Sequence, residues 1–66
     1  MINCIKVERA RHNMSQSDLA EKLGVTRQTI YAIEHKKFVP STVLALKMAS
    51  IFGIPVEQIF QLEEQD

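Results

Sequence analysis

The chain has 66 residues, 45% of them hydrophobic, with eight basic and eight acidic side chains and a formal charge of zero. A chain this short makes one domain, residues 1–66, and buries only about 60% of the surface its unfolded form exposes, so its small core is open to completion by a second copy. Its single cysteine, Cys4, and two distant histidines, His12 and His35, exclude a disulfide framework and a zinc motif, and no apolar run nears the roughly 18 residues of a membrane span.

Local signals divide the chain into five helices. The first runs from Ile5 to about His12 and ends at Asn13, a residue that tolerates the left-handed conformation of a helix terminus. Ser15 caps the second, with Asp18 favourably placed at the positive end of the helix dipole. Leu19, Ala20 and Leu23 form its buried stripe, and Gly24 stops it. Thr26 caps the third helix, which seats Ile30 and Ile33 and runs to about His35. Phe38, Val39 and Pro40 make an extended connection, because a proline disfavours helix in the residue before it.

Ser41 caps the fourth helix, about Thr42 to Phe52, and Gly53 closes it. Leu44, Ala45, Met48, Ala49 and Phe52 form one stripe, while Val43, Leu46 and Ile51 lie off it. A helix apolar nearly all round needs more than one covering surface. Pro55 opens a short fifth helix to about Phe60. The ends, "MINCI" and "QLEE", are too short to stand alone and could pair as two small antiparallel strands.

Helix, glycine-containing turn, helix over about residues 16–35 is the helix-turn-helix layout. Gly24 permits the turn, Ala20 the close helix approach, and Ile30 seats the second helix on the first. At about 100° per residue, Gln28, Ala32 and His35 lie opposite Ile30, with Tyr31 at the shoulder. Such side chains reach base edges and phosphates, and Ala32 suits a thymine methyl. Arg27 stands at the first helical position, where a cation opposes the dipole; its long side chain projects from the helix end and suits a bidentate contact to guanine. Glu34 falls on the inward side, and Arg9 on the first helix is its natural partner in a structural ion pair.

The zero net charge hides a separation. Residues 1–47 hold all eight bases against four acids, a surplus of +4, and residues 48–66 hold the other four acids and no base. This predicts a basic working face and an acidic far end, away from DNA.

The stretch "MSQSDLAEKLGVTRQTIYAIEHKKFVPS", continued by "ALKMASIFGIPVEQIF", resembles the helix-turn-helix core of the Cro/phage-repressor (XRE) family, over about residues 5–60. The resemblance implies an all-α, five-helix, lambda-repressor-like domain. It implies a transcriptional regulator of double-stranded DNA, a repressor more than an activator, binding an inverted-repeat operator as a homodimer. Thr26, Arg27, Gln28, Tyr31 and Ala32 would face the major groove. Gln16 would bind a phosphate and brace Gln28, with Thr29, His35, Lys36 and Lys37 also approaching the DNA backbone. Arg9 and Glu34 match the family's buried ion pair. Dimer contacts are expected over about residues 51–62, at Ile51, Ile54, Val56, Ile59, Phe60 and Leu62.

Two positions depart from the family pattern. Lys36 stands where many relatives have glycine, so either the turn avoids the left-handed conformation or Lys36 accepts a strain of about 1 kcal/mol. Glu8 occupies an often apolar position, so the first helix is expected to bury less. No nucleophile, metal set or cofactor motif accompanies Glu57, Glu63 and Glu64, which read as a solvated acidic tail, not an active site. The N-terminus lacks a signal pattern, and a cytoplasmic protein of bacterial or phage type is expected. The alternative reading is a module of the same fold that binds a protein partner, an antitoxin holding its toxin or a partner of a regulatory protein.

Overall fold

A computed structural model describes residues 1–66. Elements run in the order β1 (Ile2–Asn3), α1 (Ile5–Arg11), α2 (Gln16–Leu23), α3 (Arg27–Glu34), α4 (Thr42–Phe52), α5 (Val56–Ile59) and β2 (Phe60–Gln61). The expected five helices are present, each within a residue or two of its expected bounds. The terminal strands pair antiparallel, Ile2 opposite Gln61 and Asn3 opposite Phe60.

Three helices start as their cap residues dictate. The Ser15, Thr26 and Ser41 hydroxyls accept the backbone N–H of Asp18, Thr29 and Leu44 respectively. Asp18 returns the bond to the Ser15 N–H at 2.9 Å, completing a capping box. Four helices also stop alike, with a left-handed residue at Asn13, Gly24, Lys36 and Gly53. In each case the next N–H closes back on the carbonyl five residues earlier: Met14 to Arg9, Val25 to Ala20, Lys37 to Ala32, Ile54 to Ala49. Asn13 and Lys36 adopt the turn with a Cβ, at φ of 55° and 61°, and lysine lacks the tolerance for it that asparagine has.

The core takes one stripe from each helix. Ile5, Leu19, Leu23, Ile30, Ile33, Met48, Phe52 and Ile59 are all nearly sealed from solvent, and Ala20, 3% exposed, lets α2 and α3 approach closely. In α1 only Ile5 and Glu8 are buried; Glu8 is 6% exposed, and its carboxylate reaches the Arg11 guanidinium at 3.6 Å. Cys4 is half-buried; its thiol donates to the Gln58 carbonyl at 3.0 Å, and burial pushes its pKa up.

The C-terminal apolar residues divide differently from the sequence expectation. Ile59 and Phe60 are core residues, carried there where α5 runs into β2. Ile51, Ile54 and Val56 are half-buried, and Leu62 is exposed. Uncovered apolar surface instead gathers before and along α4, at Val39, Val43 and Leu46, all more than half exposed. No helix is long and apolar enough to cross a membrane.

Candidate nucleic-acid interface

The outer face of α3 is built from its N-terminus. Thr26 caps it, and the Thr26 and Thr29 hydroxyls lie 3.1 Å apart, which fixes Thr29 beside the helix start. Arg27 follows, exposed, with no acidic side chain in the first turn. Gln28 is exposed as well, and Ala32 is half-buried, leaving a shallow gap in the face. Tyr31, 43% exposed, stacks on His35 with ring centroids 3.9 Å apart. The His35 Nδ1 lies 2.9 Å from the Tyr31 carbonyl, and the Lys37 ammonium sits 6.0 Å from the Tyr31 ring centroid.

Beneath this face lies a polar anchor. Glu34 accepts from Arg9 twice, Nε at 2.7 Å and Nη2 at 3.1 Å, the two-bonded geometry expected of a guanidinium and a carboxylate. The side chains are 13% and 5% exposed, and Arg9 Nη1 also donates to the Met14 carbonyl at 3.1 Å. Gln16 joins this pair: its Nε2 donates to Glu34 at 3.2 Å, and its Oε1 accepts from Arg27 Nη1 at 3.3 Å. The expected brace from Gln16 to Gln28 is therefore replaced by one to Arg27. With its amide nitrogen committed to Glu34, the Gln16 oxygen faces the nearest cation. A continuous chain, Arg9–Glu34–Gln16–Arg27, links the interior to the start of α3.

The far end of α3 is held by the chain termini. Asn3 donates to the Ile33 carbonyl at 3.0 Å and accepts from the Ile5 N–H at 3.3 Å, joining β1 to the ends of two helices. Sequence reading missed Asn3, because only strand pairing brings it to α3. The acidic tail is also not where charge separation places it. Glu63 binds the Lys36 ammonium at 2.9 Å and the Met1 α-ammonium at 2.9 Å, and Asp66 lies 2.8 Å from the same α-ammonium. The Lys36 ammonium holds the Glu63 carboxyl below its usual pKa, with the α-ammonium adding to the effect. Asp66 is lowered too, first by the Glu63 backbone N–H. Of the cations near α3, Arg27 and Lys37 have no acidic partner, whereas Arg9 and Lys36 are paired.

Residues 5–59 match the helix-turn-helix family HTH_3. The chain belongs to that family, of the Cro/phage-repressor (XRE) type. This helix-turn-helix protein is 53% identical over 66 residues, the whole of both chains, to an uncharacterized HTH-type transcriptional regulator of Methanocaldococcus jannaschii. It is 48% identical, again over the whole of both, to the regulator YgzD of Bacillus subtilis, so its relatives span archaea and bacteria. A solved structure titled hypothetical transcription factor NHTF, from Neisseria, superposes with a TM-score of 0.75 at 28% identity. That match covers 82% of this helix-turn-helix chain and 61% of the Neisseria chain.

Proposed function

We propose that this helix-turn-helix protein is a transcriptional regulator that reads double-stranded DNA with α3, as a homodimeric repressor on an inverted repeat. The observation that carries the reading is the exposed N-terminal half of α3. Arg27, Gln28 and Tyr31 face outward without acidic partners, and the buried Arg9–Glu34 pair holds Arg27 through Gln16. One Arg27 N–H is committed to Gln16, which leaves the other edge of the guanidinium for a guanine O6 and N7. In this reading Thr26 and Ala32 complete the base-facing set, and Gln16, Thr29, His35, Lys36 and Lys37 would approach the flanking backbone phosphates. The relatives' names, all HTH-type transcriptional regulators, agree with this reading.

The second copy would dock on the apolar surface of α4 and α5. Val39, Leu46 and Val56 line a groove of about 240 Å³ there, continuous with half-buried Ala45. Phe60 forms part of the groove lining, Ile51, Ile54 and Leu62 remain candidates outside it, and Ile59 lies in the core. Two-fold symmetry then sets the half-sites about 34 Å, one helical turn, apart. Selection of bound DNA from a random pool tests the whole reading: a palindromic consensus that loses one base preference in Arg27→Ala is expected. Recovery of no enriched sequence would sink it in favour of a partner-protein module using the same apolar surface.

A further inference from the structure

We propose that Glu63 sets the DNA affinity of this protein by holding the Lys36 ammonium, so that a backbone phosphate must take the place of a carboxylate already present. The inference rests on the reading that Lys36 approaches the DNA backbone. Lys36 is the residue at which the chain leaves α3, one position beyond His35. Its backbone is pinned by two closures, Lys36 N–H to the Ile33 carbonyl at 3.1 Å and Lys37 N–H to the Ala32 carbonyl at 2.8 Å. The backbone of Lys36 is thus fixed relative to α3, and only its side chain can choose a partner.

The partner it has is unusually well placed for an exposed pair. Glu63 comes from the opposite end of the chain, delivered by the β1–β2 pairing. A short turn organises it: the Glu63 N–H donates to Asp66 at 2.8 Å, and the Asp66 N–H donates to the Glu63 carbonyl at 3.0 Å. Its side chain is 22% exposed and that of Lys36 49%, so the ammonium keeps an open side toward solvent. A carboxylate and a phosphate oxygen offer the same ammonium comparable charge-assisted bonds. Exposed pairs of this kind are individually weak, so phosphate can displace Glu63, but the exchange yields less than a free lysine would.

The test uses the full chain with Glu63→Gln, Lys36→Gln and the double variant, titrated onto a selected duplex and a scrambled one over a range of salt. Glu63→Gln is expected to bind both duplexes roughly two- to fivefold more tightly per protomer. The slope of log K against log salt should change by less than the roughly 0.9 of one phosphate contact, because Lys36 meets the same phosphate in both proteins. In the Lys36→Gln background the same substitution should do nothing to either quantity. Unchanged or weaker binding by Glu63→Gln overturns the inference, and so does a gain that persists without Lys36. Arg27→Ala on the same duplexes separates the two levels: if base preference survives its loss, the reading of α3 itself fails. If it does not survive and Glu63→Gln is silent, only the inference about the tail fails. Urea unfolding of each variant confirms that the folded protein is being compared.

Discussion

Replacing Arg9 with methionine keeps most of the side-chain volume and removes the charge, so it isolates what the buried pair does. Glu34 would lose two of its three hydrogen bonds, those from Nε and Nη2, and keep only Gln16 as a donor. Its side chain is 5% exposed, so water cannot fully replace the guanidinium. Breaking a buried pair by removing one partner costs about 3–5 kcal/mol. The retained Gln16 bond and the 13% exposure of the Arg9 side chain set the expectation at the low end, about 3 kcal/mol. A domain of this size has a total stability of roughly 3–10 kcal/mol, so the variant should lose about a third of it or more. Its melting temperature should drop by about 12–24 °C, at roughly 4–8 °C per kcal/mol. The assay is urea unfolding followed by circular dichroism, with an unchanged m-value showing that the same surface is exposed. Adding Glu34→Met should recover most of the loss, because an apolar pair of similar volume leaves no stranded charge. A cost below about 1 kcal/mol for the single variant, or a double variant no more stable than the single, would refute the reasoning.

Three further outcomes follow from particular residues. At Lys36, φ of 61° predicts that Lys36→Gly is more stable than Lys36→Ala by about 1 kcal/mol, the reverse of the order in a helix interior; equal melting temperatures would contradict the strain. Asp18 has its folded pKa depressed by the Ser15 backbone N–H and then the Ser15 side chain, so its stabilisation is present above the unfolded pKa and lost as pH falls through the folded one. Asp18→Asn should therefore be less stable than the parent at pH 7, with urea midpoints converging as pH drops below about 4, and a constant gap would remove the capping-box charge as the cause. Leu46→Glu should convert the proposed dimer to monomer in sedimentation equilibrium while shifting monomer stability by no more than about 0.5 kcal/mol; undiminished association would move the interface elsewhere.

Much of the fold was legible because its signals are local. Ser15, Thr26 and Ser41 cap the N–H groups three residues ahead, and Asn13, Gly24 and Gly53 supply left-handed stops, so these helix limits need no distant partner. The Arg9–Glu34 pair was legible for a different reason. Helical angle turns Glu34 inward, a buried carboxylate demands a cation, and few bases lie on a helix that could face it. The family resemblance added functional expectations for the face of α3 that periodicity had already turned outward.

Other features depended on which surfaces the chain ends cover. Apolar character and the family resemblance marked Ile51 to Leu62 as a candidate contact, but Ile59 and Phe60 are buried while Val39, Val43 and Leu46 stay outside. Charge separation suggested an acidic end remote from α3, yet strand pairing carries Glu63 to Lys36. Lys36 itself was undecidable from its neighbours, since lysine disfavours the left-handed turn that the Schellman-type closure onto Ala32 demands. Sequence by itself thus determined where helices begin and end and which face of each is buried, because caps and periodicity act within a few residues. Tertiary structure decided which apolar residues stay uncovered, how Gln16 orients Arg27, and where the acidic tail lies, because each of those depends on groups brought together from distant parts of the chain.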